Sequence, residues 1–145
     1  MKKEILIVSA CFLKDGFKYD GTNNIRDEIK QLENKYELVL VCPEVFGGLS
    51  TPRLPSEQKG NQVFMNNGKD VTNEFNLGAK KCLDIALQNK VKKALLKAKS
   101  PSCGYKQIYD GTFTHTISEG NGVFAKLLIE NNIEIYTEED LTKLL

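Results

Sequence analysis

Four cysteines, at positions 11, 42, 82 and 103, carry the most distinctive chemistry in this 145-residue sequence. No two of them are close enough in sequence to form a CxxC pair, so the usual signature of a zinc ribbon is missing. We expect no cleaved export signal, because Glu4 interrupts the short apolar run at the N-terminus. Cytosolic thiols stay reduced, so a disulfide framework is not expected either. Any shared function requires folding to gather these thiols from distant segments.

Three of the four cysteines stand at the ends of predicted β-strands. Three short apolar runs indicate buried strands: Glu4–Ala10, Leu38–Cys42 and Ala94–Ala98. Cys11 directly follows the first run, Cys42 ends the second, and Cys103 lies a few residues beyond the third. In an open parallel sheet, ligands bind outside the carboxyl ends of the strands. The three thiols are therefore predicted to meet at one edge of the sheet.

Cys82 differs from the other three, because it lies within a predicted helix. This helix opens at Thr72, and its apolar stripe has helical spacing: Phe75, Ala79, Cys82 and Ala86. A buried cysteine on such a stripe behaves as a small apolar side chain. We expect Cys82 to belong to the core.

The other local patterns complete an alternating order of strands and helices. They are a helix from Thr22 capped by Thr22 or Asn23, a hairpin turn at Asn67-Gly68, a helix over 122–131 and a strand over Ile133–Tyr136. Two long segments, Glu44–Glu57 and Ser100–Phe113, read as irregular loops of the kind that carry function. This order predicts an α/β fold of three layers, with a mostly parallel sheet of about four strands and a site at its carboxyl edge.

The composition sets the class of protein. Hydrophobic residues make up 41% of the chain, enough for one core, and we expect a single domain over residues 1–145. A formal net charge of +1 provides no field for binding a nucleic acid polymer or an anionic membrane. No apolar run is long enough to span a bilayer, so we expect a soluble, cytoplasmic protein whose partner is a small molecule.

Three converging thiols without a fourth ligand predict a metal site with one open position. All-sulfur ligation favours zinc, copper(I) or an iron–sulfur centre, and catalytic sites keep one position free. Three unrelated thiols are the alternative, since cysteine is common in buried positions. Polar neighbours favour a shared site. Glu44 follows Cys42 by two residues, where a general acid or base is useful, and the hydroxyls of Ser100 and Ser102 precede Cys103.

Several sequence blocks resemble those of the thiouracil desulfidase family. They are Ser9-Ala10-Cys11, Tyr19-Asp20-Gly21, Cys42-Pro43-Glu44-Val45-Phe46-Gly47-Gly48-Leu49, Thr51-Pro52-Arg53, Asp70-Val71-Thr72 and Ser100-Pro101-Ser102-Cys103-Gly104. Tyr109-Asp110-Gly111 and Gly120-Asn121-Gly122-Val123 extend the resemblance over nearly the whole chain. Arg53, in one of these blocks, is expected either to anchor the Pro-rich loop or to meet an anionic substrate, and the structural role, through an ion pair for which Glu57 is the candidate partner, is favoured.

The resemblance implies an oxygen-sensitive 4Fe-4S cluster bound by three cysteines, which are Cys11, Cys42 and Cys103 here. The iron without a protein ligand would take the sulfur of a small thiolated substrate such as 2-thiouracil. The sulfur would then leave as hydrosulfide, with no net electron transfer.

The resemblance also implies roles for polar residues. Glu44 would move protons to and from the attacking water and the leaving group, with Ser100 as the favoured partner and Ser102 as the second candidate. The candidates for contact with the substrate are Lys18, Tyr19 and Asp20.

Two alternatives of other classes stay open. One is a metal-free enzyme in which a cysteine is the nucleophile and Glu44 or His115 is its base. The other is a non-catalytic sensor or carrier that binds a cluster or zinc.

Overall fold

The computed structural model describes residues 3–145. Strands in this range are β1 (Glu4–Ser9), β2 (Tyr36–Val41), β3 (Ser56–Lys59), β4 (Gln62–Met65), β5 (Lys93–Leu96), β6 (Gln107–Tyr109), β7 (Ile117–Glu119) and β8 (Glu134–Thr137). The α-helices are α1 (Asp27–Lys30), α2 (Pro43–Phe46), α3 (Thr72–Gln88) and α4 (Val123–Glu130). Short 3-10 segments cover Ala10–Phe12, Gln31–Asn34 and Glu138–Lys143.

Four strands form one parallel sheet in the order β2-β1-β5-β8. Neighbouring residues of β1 pack on opposite faces: Ile7 joins a buried cluster with α3 and α4, whereas Leu6 and Val8 join one that contains Ile29 and Leu141. Because helical segments cover both faces, β1 is apolar at nearly every position, which explains its continuous hydrophobic run. The predicted α/β fold with a parallel sheet of four strands is confirmed.

The long helix α3 buries the stripe that the sequence predicts. Phe75, Ala79, Cys82 and Ala86 each have 0% of their surface exposed. Burying one apolar stripe against the sheet is how an amphipathic helix gains most of its stability. None of the helices between residues 3 and 145 is long and apolar enough to cross a bilayer.

The first helix begins at Asp27, and Arg26 rather than Thr22 or Asn23 stands at its N-cap position. The segment before it is held by short-range bonds instead. Asp20 accepts from the backbone N–H and the hydroxyl of Thr22, and Asn23 Oδ1 accepts from the N–H of Ile25. Such bonds offer the backbone an alternative to the helix, so neither Thr22 nor Asn23 becomes its cap.

The sequence patterns do not predict two short β-hairpins that the structure contains. The β3–β4 hairpin turns at Gly60. The predicted turn at Asn67-Gly68 also forms, because the N–H of Gly68 donates to the carbonyl of Met65 at 2.9 Å and Phe64 pairs with Asp70 in an antiparallel bridge across the turn. A second hairpin, β6–β7, begins inside the segment Ser100–Phe113, which was predicted to be irregular. Strands of three or four residues are too short to show a period in the sequence.

Candidate active site

A cavity of about 620 Å³ opens beyond the carboxyl ends of β1, β2 and β5. All but one of the predicted site residues line it: Cys11, Lys18, Tyr19, Cys42, Glu44, Ser100, Ser102 and Cys103. The exception is Asp20, which is exposed and whose carboxylate accepts hydrogen bonds from Thr22. A second cavity, of about 550 Å³ beside β8, has no cysteine in its lining.

Local backbone structure positions each thiol of the larger cavity. Cys11 lies in the 3-10 turn after β1, and Cys42 joins β2 directly to α2. Proline is the first residue of α2, a position where its missing N–H costs nothing. Cys103 lies in a turn that is closed by the 2.8 Å bond from the N–H of Gly104 to the carbonyl of Ser100.

Close backbone approaches fix these segments on the helices. A Cβ added to Gly78 of α3 would lie 1.6 Å from the carbonyl oxygen of Pro43, and one added to Gly47 would lie 1.9 Å from a carbonyl oxygen of α3. A Cβ on Gly122, just before α4, would lie 2.6 Å from the backbone nitrogen of Cys103. Because only glycine permits such contacts, the packing of α3 and α4 determines where Cys42 and Cys103 stand.

Burial raises the pKa of all three thiols that line the cavity, and that of Cys42 reaches about 11. Cys11 adds to the rise at Cys42, and both add to the rise at Cys103, so the three thiols lie within electrostatic reach of one another. The amide of Asn24, 3.3 Å from Cys11 Sγ, opposes the rise at Cys11. Buried thiols of raised pKa are poor nucleophiles, whereas a coordinated metal deprotonates a thiol outright.

Cys82 stands apart from this cavity, in the core. Its surface is fully buried in the cluster between the sheet, α3 and α4. Burial raises the pKa of its thiol, with Cys103 and Cys42 as further causes. The prediction that Cys82 is a core residue is confirmed.

Glu44 is held between a guanidinium and a hydroxyl. Arg53 Nε donates to Oε1 at 3.1 Å, and Ser102 Oγ donates to Oε2 at 2.9 Å. Ser100 Oγ lies 3.0 Å from Ser102 Oγ and accepts the backbone N–H groups of Ser102 and Cys103, each at 3.1 Å. Ser102 therefore contacts Glu44 directly, whereas Ser100 supports Ser102 and the Cys103 turn.

The side chain of Arg53 is only 3% exposed, and its nitrogens are occupied by the protein. Besides Glu44, it donates to the carbonyl of Phe17 at 3.0 Å and to Thr51 Oγ1 at 3.0 Å. The expected ion pair with Glu57 was wrong. Glu44 takes that place because α2 brings its carboxylate beside Arg53, while Glu57 accepts backbone N–H groups elsewhere in the wall.

Lys18 and Tyr19 lie on the wall formed by the segment before α1. The Lys18 ammonium is 5.9 Å from the centre of the Tyr19 ring, and the Tyr19 carbonyl accepts the N–H of Arg53 at 2.6 Å. Arg53 thus links this wall to Glu44.

His115, the alternative base named from the sequence, also lines the cavity. The residues of the wall that the sequence did not indicate include Ser56, Glu57, Lys97 and Phe113. They come from β3, from the end of β5 and from the β6–β7 loop, where no motif marks them. Tyr109 also lines the cavity, and it belongs to a block already noted in the resemblance. His115 packs edge-on against Tyr109, with 6.0 Å between the ring centres.

Lys97 contributes a positive charge near Cys11. Its ammonium lies 2.7 Å from Oε2 of Glu138, a carboxylate only 5% exposed, and Glu138 Oε1 accepts the N–H of Ala98 at 2.7 Å. Lys97 lowers the pKa of Cys11 and Glu138 raises it, both less than burial does.

Between residues 3 and 145, no three Cys, His, Asp or Glu side chains converge as the ligands of a single metal ion would. An iron–sulfur cluster differs in this respect, because each thiolate binds a different iron atom.

Comparison with known proteins gives the family. The sequence pattern described as 2-thiouracil desulfurase matches residues 6–140. This chain belongs to that family. It is 33% identical to the uncharacterized protein YbbK of Bacillus subtilis (strain 168), over 97% of this chain and 100% of YbbK.

A solved structure of the [4Fe-4S]-dependent thiouracil desulfidase TudS is also similar. Its TM-score is 0.91 and its sequence identity 40%, covering 98% of this chain and 95% of TudS. At this level of similarity the two proteins share their fold.

Proposed function

We propose that this protein is a 4Fe-4S-dependent desulfidase that hydrolyses the C–S bond of a small thiolated compound, such as 2-thiouracil, and releases hydrosulfide. Family membership and the similarity to TudS support the reaction class. Four free cysteines are typical of a reducing compartment, which supports an enzyme of the cytoplasm.

The residues of the cavity fit an iron–sulfur cluster. Cys11, Cys42 and Cys103 would hold it, because they line one cavity and because all three donors are sulfur. When bound, a cluster with three protein ligands supplies an iron that has affinity for sulfur and withdraws electrons from a thiocarbonyl bond.

Glu44 is the general base in this proposal, and its geometry is the observation that carries it. The carboxylate follows Cys42 by two residues, lines the same cavity and is 15% exposed. Arg53 holds Oε1 and the Ser102 hydroxyl holds Oε2, and Glu44 and Ser102 both line the cavity. Glu44 takes a proton from the attacking water and returns one to the leaving sulfur.

Ser102 is the proton partner that this geometry favours, with Ser100 behind it. The chain Ser100 Oγ, Ser102 Oγ and Glu44 Oε2 has consecutive distances of 3.0 and 2.9 Å, within the range for proton transfer between oxygens.

A metal-free cysteine nucleophile is less compatible with these features. Reactive cysteines have a lowered pKa, whereas burial raises the pKa of all three cavity thiols. His115 belongs to an exposed loop and contacts Tyr109 rather than a thiol.

Anaerobic purification tests the proposal. We expect a brown protein with about four iron atoms per chain that releases hydrosulfide from 2-thiouracil. A brown protein that releases no sulfide from any thiolated base or nucleoside would instead identify a sensor or carrier. A colourless, iron-free protein after anaerobic reconstitution would refute the cluster.

A further inference from the structure

The wall of the cavity to which β3 contributes carries a carboxylate that the proposed reaction does not use. Glu57, on β3, is only 8% exposed and lines the cavity. Its Oε1 accepts the backbone N–H groups of Gly111 at 3.0 Å and Phe113 at 3.2 Å. A carboxylate can accept about four hydrogen bonds. Within residues 3–145, both of these bonds use the same oxygen, and Oε2 is left for a donor from the cavity.

The position of Glu57 is fixed by its neighbours on β3. Gln58 Nε2 donates to the carbonyls of Pro101 at 2.8 Å and Asn121 at 2.9 Å, which joins β3 to the Cys103 turn and to the start of α4. Gly111 has a φ of +94° and packs so closely on Gln58 that a Cβ would lie 2.7 Å from its carbonyl oxygen. The carboxylate therefore has little freedom to turn away from the cavity.

A second polar group on the same wall lacks a partner. The hydroxyl of Ser56, the residue before Glu57, is buried and has no hydrogen-bond partner in the part of the chain described. Buried polar groups are nearly always paired, so exceptions call for an explanation. Ser56 also lines the cavity, but its hydroxyl has almost no exposed surface, so the carboxylate of Glu57 is the side-chain group of this strand that a ligand would meet.

We propose that Glu57 determines specificity by accepting a hydrogen bond from a ring N–H next to the thiocarbonyl carbon of the substrate. The substrate class is then a cyclic thioamide with a free N–H, and S-alkylated or N-substituted thiones are poor substrates. This inference rests on the proposed function. Because the ring N–H is present in substrate and product alike, Glu57 binds both equally and acts on KM rather than on kcat.

Glu57→Gln is the variant that isolates this contact. The amide oxygen of glutamine still accepts from Gly111 and Phe113, so the loop keeps its anchor, while the NH2 group turns a donor toward the substrate N–H. We expect KM for 2-thiouracil and the Kd for uracil to rise roughly 10- to 100-fold. The change should be confined to binding. Glu37→Gln, at an exposed glutamate of β2, is the matched control and should change neither constant.

Substrate analogues separate recognition from a purely structural role. Wild-type protein should bind one of the two N-methylated 2-thiouracils, the one that lacks the recognised N–H, at least ~10-fold more weakly than 2-thiouracil. In Glu57→Gln this preference should disappear. If Glu57→Gln weakens the binding of 2-thiouracil and of both N-methylated forms by the same factor, Glu57 only anchors the loop and the inference is wrong. The same conclusion follows if Glu57→Gln leaves the preference among these compounds unchanged.

Uracil binding is measured by isothermal titration, without turnover. It distinguishes a failure of the Glu57 inference from a failure of the proposed function. If wild-type protein releases no sulfide from any thiolated base, the proposed function fails and this inference fails with it. If wild-type protein releases sulfide but Glu57→Gln binds uracil as well as wild type does, only the role of Glu57 is refuted.

Discussion

Ser102 donates its hydroxyl hydrogen to Glu44 across 2.9 Å, although the two residues are 58 positions apart in sequence. One stands in the turn that carries Cys103 and the other in the helix that follows Cys42. This bond joins two of the segments that supply thiols to the cavity. It makes the serine and the glutamate one unit, whose parts can be tested separately.

Glu44→Gln should abolish turnover and leave the cluster in place. The amide keeps the shape of the side chain but cannot take a proton, and general bases contribute roughly 10²- to 10⁴-fold to rate. We expect sulfide release to fall by at least ~100-fold, with the visible spectrum and the iron content unchanged. Bleaching of the cluster in this variant would show that Glu44 supports the metal site instead.

Alanine variants of the two serines should behave differently. Ser102→Ala removes the hydroxyl that donates to Glu44, so sulfide release should drop while iron is retained. Ser100→Ala leaves the N–H groups of Ser102 and Cys103 without their acceptor, so it should lower iron content and thermal stability as well. We expect this difference to be visible when the iron content, the midpoint of thermal unfolding and the rate of sulfide release are measured for both variants. If Ser100→Ala lowers the rate and retains iron while Ser102→Ala loses iron, Ser100 is the proton partner of Glu44 instead.

Single serine variants of Cys11, Cys42 and Cys103 should each lose the cluster, whereas Cys82→Ala should keep it. Cys82 has no exposed surface and lies on the stripe of α3, outside the cavity. Its truncation removes one sulfur atom from the core and should cost roughly 1 kcal/mol in the free energy of unfolding. Iron analysis and denaturant titration measure the two effects. An iron-free Cys82→Ala protein would make Cys82 part of the metal site.

Gly78→Ala should destabilise the protein and impair the site, even though alanine favours helices by about 1 kcal/mol over glycine. The added Cβ would collide with the carbonyl of Pro43 and push α2 away from α3. We expect a net loss of about 1–3 kcal/mol in the free energy of unfolding, together with low iron content. Asn76→Ala, at an exposed position of the same helix, is the control. Unchanged iron in Gly78→Ala would mean that α2 tolerates the shift.

Tyr136 should ionise above the ordinary pKa of a tyrosine in an alkaline titration. Its hydroxyl donates to Glu134 Oε2 at 2.7 Å, and this bond, with desolvation as a smaller cause, raises the pKa to about 12. The folded pKa lies above the ordinary value of 10, so the bond contributes fully below about pH 10 and is lost as the pH rises toward 12. Absorbance of tyrosinate in Glu134→Gln should show one tyrosine with a lower pKa. An unaltered curve would mean that the carboxylate is not the cause.

Strand ends and the helical stripe could be predicted because their patterns are local. The continuous apolar run of β1 follows from burial on both faces of the sheet. The helical spacing around Cys82 follows from burial of one face of α3. Once three strands were predicted to be parallel, the common edge of Cys11, Cys42 and Cys103 followed from topology alone.

The partners of the polar residues could not be predicted, because they depend on loops that only the tertiary structure positions. Arg53 illustrates this, since Glu57 is closer in the chain but not in space. Glu57 itself lies in a short hairpin, and its two acceptor contacts come from a loop more than fifty residues away. No periodicity in the sequence indicates such a contact.

The three cavity thiols sit on segments that follow three different strands, and no disulfide ties those segments together. An inorganic group bound to all three would act as a cross-link and slow local opening at this end of the sheet. Proteolysis of a natively folded protein proceeds through such openings. The lifetime of the protein in a cell would then follow the supply of iron, and iron starvation would lower its abundance before any change in its synthesis.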